Sequence, residues 1–421
     1  MGRTAPPAAP PAAGRTLADL TVGRANSLGA LRLLLAVAVV VSHVHPIGWG
    51  RPDPLWDWSG RQTDLGKSAV VGFFAISGFV ITGSALRLSP WRFLWHRMLR
   101  IVPGLLASLV FCATVLTPLL FLWQHGTLDG FWGRPDGPLG YVTSLGSTSP
   151  MAGWDVSGVI AGGIRAGTNF DPSLNGALWS LKYELLCYLL AALLAAAGLL
   201  RRRAAVPALL LALWLLIVSG AVDLPPGVAP AGGPGVTLPV VGRLTWHLLA
   251  GLGFTFLLGA ACRLHARRVP VDDRAAAAAA LVLALTLRWG GFTALGQPAL
   301  VYLLFWAAVR LPGWCRSVDA AGDFSYGVYV YGFPVEQALA LVGFAAYGRL
   351  GFLACALAVT ALLGVLSWYA VERPAMRLRD RTPRFPPWRG ERDGKRDGGK
   401  RDGGKQDGSR DREDARPGVT S

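Results

Sequence analysis

Two residues of opposite chemical temperament stand in the first strongly apolar stretch, 28–47: Arg32 and His43, with ten residues between them. That separation is close to three helical turns, so a helix puts both side chains on one face, about 16 Å apart along the axis. A central Arg costs a lipid-spanning helix about 2.5–3.5 kcal/mol, so such groups usually face an internal cavity and act there. Imidazole suits the removal of a proton from a hydroxyl, because its ordinary pKa near 6.5 is close to working pH. Arg suits a phosphate or carboxylate, which it binds through two parallel hydrogen bonds. Glu184 and Glu336 are further charges in apolar stretches. Glu184 is expected at a depth comparable to His43, where it either orients the imidazole and binds acceptor hydroxyls or closes an internal ion pair with Lys182 or an Arg. Glu336 is a candidate for the acceptor site. Arg97 and Arg100, three apart, share a helical face at the cytoplasmic mouth.

These residues need a membrane frame to position them. The chain has 421 residues, 52% apolar and 16% charged, where soluble domains carry about a quarter charged residues. About ten spans of roughly 20 residues are expected, the length that crosses the hydrocarbon core: 28–47, 66–86, 99–123, 178–200, 204–222, 241–262, 274–289, 292–311, 324–344 and 350–371. The fold class is therefore all-α, a polytopic transmembrane bundle. Arginines recur at alternate connections: Arg87 to Arg100, Arg201 to Arg203, Arg263 to Arg274, Arg310 with Arg316, and the tail. The opposite loops are poor in cations, which places both termini in the cytoplasm. Trp residues near span ends fit interfacial anchors.

The formal charge of +16 raises nucleic acid as a partner. The cations punctuate loops and tail, with no nucleic-acid motif, so an anionic leaflet is the simpler counterpart. Five scattered cysteines show neither metal spacing nor a disulfide framework, and no metal is expected. Residues 1–26 read as a flexible cytoplasmic segment without a cleavable signal, 27–380 as the membrane domain, 124–177 as a long outer loop, and 381–421 as a disordered basic Gly/Asp/Lys/Arg tail.

An ordered set of motifs adds to this. After Arg32 and His43 come Phe73-Phe74-Ala75-Ile76-Ser77-Gly78-Phe79, then Arg97-Met98-Leu99-Arg100-Ile101-Val102-Pro103. Trp179-Ser180-Leu181-Lys182-Tyr183-Glu184, Asp323-Phe324-Ser325-Tyr326-Gly327 and Val371-Glu372-Arg373-Pro374 follow. Together, over roughly 27–379, they resemble the integral-membrane acyltransferase family 3, the O-acyltransferases of surface polysaccharides, lipid-linked sugars and some macrolides. The resemblance implies that Arg32 and His43 form the active centre, with His43 as general base and Glu184 beside it. It implies that Arg97 and Arg100 hold an acyl-CoA donor, usually acetyl-CoA, on the cytoplasmic side; Trp179 and Ser180, in the matching motif, and Glu336, as an acid within a span, are expected to line the acceptor site. Many members carry His where this chain has Gly332. The expected reaction is transfer of an acetyl or short acyl group from CoA to a hydroxyl of a glycan or glycosylated small molecule, in the cell membrane. A secondary transporter for an anionic or sugar-like solute is the other reading, since buried Arg, His and Glu serve it equally. Against it, no inverted repeat is visible. Ser77 lacks a local base in the sequence and reads as helix packing with Gly72, Gly78 and Gly83. Glu372 is expected to pair with Arg373 or Arg377.

Overall fold

The computed structural model describes residues 16–21, 27–143, 155–160, 173–223, 233–238, 241–312, 314–315 and 322–381. The tail from 382 onward and parts of the 124–177 loop lie outside them. Each apolar stretch is occupied by a helix: α1 Leu28–Trp49, α2 Leu65–Ala85, α3 Pro90–Phe111, α4 Thr117–His125, α5 Leu181–Ala196, α6 Ala205–Val218, α7 Trp246–Leu264, α8 Asp273–Trp289, α9 Gln297–Arg310, α10 Ser325–Leu341, α11 Gly348–Ser367 and the short α12 Arg373–Met376. Among the described residues, seven continuous helical stretches are long and apolar enough to cross a membrane. Three of the expected spans fall outside that set, because α6 has 14 residues and α8 and α10 have 17 each.

Local chemistry sets the boundaries. The Asp64 carboxylate accepts from the Lys67 amide at the start of α2, and Asp272 caps α8 in the same way. Gly50 ends α1 in the left-handed region, φ +61°, where only glycine is unstrained. Pro90 occupies the first turn of α3, so this helix begins nine residues before the expected 99. Arg97 and Arg100 are therefore on the helix itself and not in the loop before it. Wide π turns join α3 to α4 (Cys112–Leu116) and α11 to α12 (Trp368–Glu372), the kind of local insertion that re-aims side chains near functional sites.

Two departures from an all-helical reading appear. Strands Gly235–Leu238 and Gly242–Thr245 pair antiparallel, so α7 starts at Trp246 and not at 241. Leu17–Thr21, within the segment expected to be flexible, is a 3-10 turn with Leu17 and Leu20 buried. Its amides at Leu17 and Ala18 donate to the carbonyls of Val269 and Ala266.

Small residues let the helices touch. A Cβ built on Gly78 of α2 would lie 2.0 Å from the Phe256 carbonyl oxygen of α7, and one on Gly259 of α7 would lie 2.0 Å from that of Ala75. A second close approach joins α10 to α11 at Gly327 and Gly364. These crossings are how bundles pack when lipid supplies no hydrophobic drive between helices.

Candidate active site

Five helices enclose a cavity of about 100 Å3. Arg32 reaches it from α1, Ser77 from α2, Arg97 and Arg100 from α3, Ser180, Glu184 and Tyr188 from the start of α5, and Ser325, Tyr326 and Tyr329 from α10. The cations are not equivalent. Asp323 Oδ2 is shared by Arg32 Nη2 at 2.5 Å and Arg100 Nη2 at 2.6 Å. Arg100 Nη1 also meets Glu372 Oε2 at 2.7 Å. Ser325 and Ser367 donate to these two carboxylates, at 2.7 and 3.1 Å. Arg100 lies against the Tyr326 and Trp368 rings. Arg100 is thus paired with two carboxylates and two rings, although its Nη2 has no hydrogen-bond partner. Arg97 makes no ion pair among the described residues, and its buried Nε has no hydrogen-bond partner.

The opposite wall is a hydroxyl and carboxylate chain. Glu184 Oε1 accepts from Ser77 Oγ at 3.1 Å and from Tyr188 Oη at 2.5 Å. Tyr329 Oη donates to the Ala177 carbonyl at 2.6 Å, so Ser180 Oγ must be the donor in its own 2.6 Å contact with Tyr329 Oη. Trp179 is half-buried, edge-on to Tyr183, and is not among the cavity-lining residues. Lys182 Nζ reaches the Arg243 carbonyl at 2.5 Å and makes no ion pair with Glu184.

His43 is not in this cavity. Its Nδ1 stands 3.8 Å from Glu336 Oε2, with Phe333 edge-on at 4.9 Å. Glu336 is fully buried, and neither of its oxygens has a hydrogen-bond partner. Between the two centres, α1 buries Ala36, Val39 and Val40. Phe73 packs on Tyr329, and Gly332 abuts Val40 so closely that a Cβ there would lie 2.8 Å from its methyl. A packed layer thus separates Arg32 from His43.

Three expectations are corrected. Glu184 shares the level of Arg32 and not of His43, whose acid neighbour is Glu336. Glu372 pairs with Arg100 and not with Arg373 or Arg377, because the Trp368–Glu372 π turn carries it into the bundle. Ser77 has a base within reach, Glu184. Asp323 and Tyr329 belong to the motif at the head of the 324–344 stretch but carried no assigned role, and Tyr188 was not foreseen. Among the described residues no group of three or more His, Cys, Asp or Glu is placed to hold a metal ion.

A many-helix apolar bundle with buried charged centres is a multi-pass membrane protein. The acyltransferase family 3 model, described as an acyltransferase domain, matches residues 26–369. The chain belongs to this family. It is similar to a protein named O-acetyl transferase from Shigella phage Sf6, 27% identical over 360 residues, covering 83% of this chain and 96% of that one. It is also similar to Nodulation protein 10 of Rhizobium leguminosarum bv. viciae, 26% identical over 376 residues, 85% and 95%. No solved structure matches. The protein is an O-acyltransferase.

Proposed function

We propose that the enzyme transfers an acetyl or short acyl group from acyl-CoA, on the cytoplasmic side, to a sugar hydroxyl presented from the other side or from the membrane. The observation that carries this reading is the division of labour along α1. One end opens on a cavity with an unneutralised guanidinium, Arg97. The other end carries a buried imidazole beside a buried carboxylate. The first arrangement suits an anionic donor. The second suits the acceptor, whose hydroxyl must lose a proton as the ester forms.

In this reading the donor's thioester enters the cavity past Arg97, and the Phe73–Tyr329 contact that closes the packed layer has to open for the acyl end of the long, thin pantetheine arm to reach His43. His43 takes the proton of the acceptor hydroxyl, the oxygen attacks the thioester carbonyl, and the thiolate leaves as CoA and collects a proton. Glu336 steadies the imidazolium, closing the 3.8 Å gap as catalytic contacts often do only on substrate binding. Arg32 and Arg100, locked on Asp323, hold α1, α3 and the head of α10 in register around the cavity. The name of the phage relative favours acetyl as the group moved. The arginine pattern supports a placement of both termini in the cytoplasm, and the same reading takes the cell membrane as the site of action.

The test uses the full chain purified into nanodiscs, acetyl-CoA labelled in the acetyl group, and a panel of glycans and glycolipids. Label is expected in an alkali-labile ester on a sugar, and no label transfer is expected from His43→Ala. Full transfer by that variant at normal expression overturns the assignment of the base.

A further inference from the structure

Ligand pockets that enclose a drug-sized molecule run to about 300–1,000 Å3. The cavity of about 100 Å3 has room for a thioester and a short acyl group, so a nucleotide must rest outside it. Arg97 is one of the residues that line the cavity. Immediately before Arg97 in the same turn stands His96, and against that turn of α3 lies the C-terminal 3-10 turn Arg377–Asp380. The Trp95 indole donates to the Leu378 carbonyl at 3.4 Å and ties the two together. Arg379 of that turn is within electrostatic reach of Arg97 and Arg100, and the His96 ring is within reach of Arg97, of the Arg379 guanidinium and of the Arg379 backbone, to which it hydrogen-bonds.

Three nitrogens in this cluster are buried without a hydrogen-bond partner: His96 Nε2, Arg97 Nε and Arg379 Nε. Buried polar groups are otherwise almost always satisfied. The acids within reach of Arg379 are Asp323 and Asp380. Asp323 is already divided between Arg32 and Arg100, and Asp380 is exposed and forms no ion pair among the described residues. Converging cations with orphaned donors and no committed acid suit a ligand that brings several negative charges and many acceptor oxygens. Arg379 also lies past the end of the matched residues 26–369, so the family match does not reach it.

We propose that His96, Arg97 and Arg379 form a polyphosphate clamp at the mouth of the cavity, and that it holds the phosphates of the donor's nucleotide while the acyl end passes inward. The C-terminal turn is then part of the donor site. The clamp rests on the acyl-CoA reading for the identity of its ligand, although phosphate is also the chemistry of an anionic lipid headgroup.

The experiment separates these. The full chain is placed in zwitterionic nanodiscs, and binding of 3′,5′-ADP, the nucleotide end of CoA, is measured by calorimetry for the parent, Arg379→Gln and His96→Gln. Each variant is expected to weaken binding about tenfold, the loss of one charge-assisted hydrogen bond. In parallel, kcat/KM is compared for acetyl-CoA and S-acetylpantetheine, which lacks the nucleotide. The preference for acetyl-CoA is expected to fall about tenfold in each variant. Unchanged 3′,5′-ADP binding in both variants overturns the clamp. Absence of 3′,5′-ADP binding in the parent, with Arg379-dependent stabilisation by phosphatidic acid added to the nanodiscs, overturns the nucleotide assignment and makes the site a lipid one. Arg379-dependent binding of 3′,5′-ADP by a protein that transfers nothing from acetyl-CoA leaves the clamp standing and removes the donor reading. Size-exclusion profiles establish folding, and His96→Gln carries the same readouts if Arg379→Gln does not fold.

Discussion

His43 Nδ1 faces Glu336 Oε2 across 3.8 Å, and neither atom has a hydrogen-bond partner. The pair joins α1 to α10, with Glu336 fully buried and Phe333 edge-on to the imidazole. A fold gains nothing from leaving two such groups unsatisfied in its interior, since each unpaired buried polar group costs about 1–3 kcal/mol. Glu336→Gln keeps the shape but cannot take a proton. It is expected to lower kcat at least tenfold while melting at the same or a higher temperature than the parent. His43→Ala is expected to lose about 10²–10⁴-fold, the range of general-base catalysis. Labelled acetyl transfer and thermal unfolding on the same preparations check both. A Glu336→Gln variant that is fully active and less stable would make the carboxylate structural.

Asp323 does the opposite work. Its Oδ2 is the common partner of Arg32 and Arg100, and its side chain is 23% exposed. Asp323→Asn is expected to cost about 3 kcal/mol, the low end for breaking a buried pair. Burial disfavours the charged form of Asp323, but Arg100, Arg32 and the Ser325 hydroxyl outweigh it and hold the carboxyl well below the usual range. A depressed folded value means that the stabilisation is complete above the unfolded value of about 3.9 and is lost only as pH falls through the lower folded one. The gap in unfolding temperature between parent and Asp323→Asn should therefore stay constant from pH 8 to pH 5. A gap that closes over that interval contradicts the assignment.

The sequence carried the helices well, because long apolar runs punctuated by arginines admit few other readings. It also carried the face shared by Arg32 and His43, a local property of one helix. It could not carry the height of one helix against another. Glu184 was placed beside His43 by counting from the end of an apolar run. The 3-10 turn Gly176–Ser180 and the packing of α5 on α3 put it level with Arg32 instead. The pairing of His43 with Glu336 depends on α1 lying against α10, a contact between distant parts of the chain that no periodicity records. Glu372 was misassigned because a π turn changes which way a residue points without leaving a mark in hydropathy.

Arg97 and Arg100 look alike as a motif, and their variants should behave differently. Arg100→Ala strands Glu372, which is 1% exposed, and leaves Asp323 with Arg32 as its one remaining guanidinium among the described residues. A loss of about 3–5 kcal/mol is expected, read as a lower unfolding temperature and lower yield. Arg97→Ala strands no carboxylate among the described residues. Its unfolding temperature should stay near the parent's, while KM for acetyl-CoA rises about tenfold or more. Equal destabilisation by the two substitutions would show that Arg97 is also a structural cation.

The glycines of α2 offer a test of what holds the cavity's walls in place. At Gly78 a methyl group would lie 2.0 Å from the Phe256 carbonyl oxygen and 3.1 Å from the Ala260 nitrogen. Both are backbone atoms of α7 and cannot swing aside. Gly78→Ala therefore has to part α2 from α7, whose own Gly259 meets the Ala75 carbonyl at the same crossing. The adjacent residue, Ser77, moves with the helix, and its 3.1 Å bond to Glu184 goes with it. At Gly83, one and a half turns on, the nearest atoms belong to the Arg263 guanidinium, the far end of a flexible side chain. Gly78→Ala is expected to destabilise by about 3 kcal/mol, the upper range for overpacking, and to reduce transfer through the displaced wall. Gly83→Ala is expected to remain within about 0.5 kcal/mol of the parent. Thermal unfolding of the two variants side by side decides the matter: equal midpoints would mean that the α2 and α7 backbones are not in contact, and that the cavity is framed by something other than this crossing.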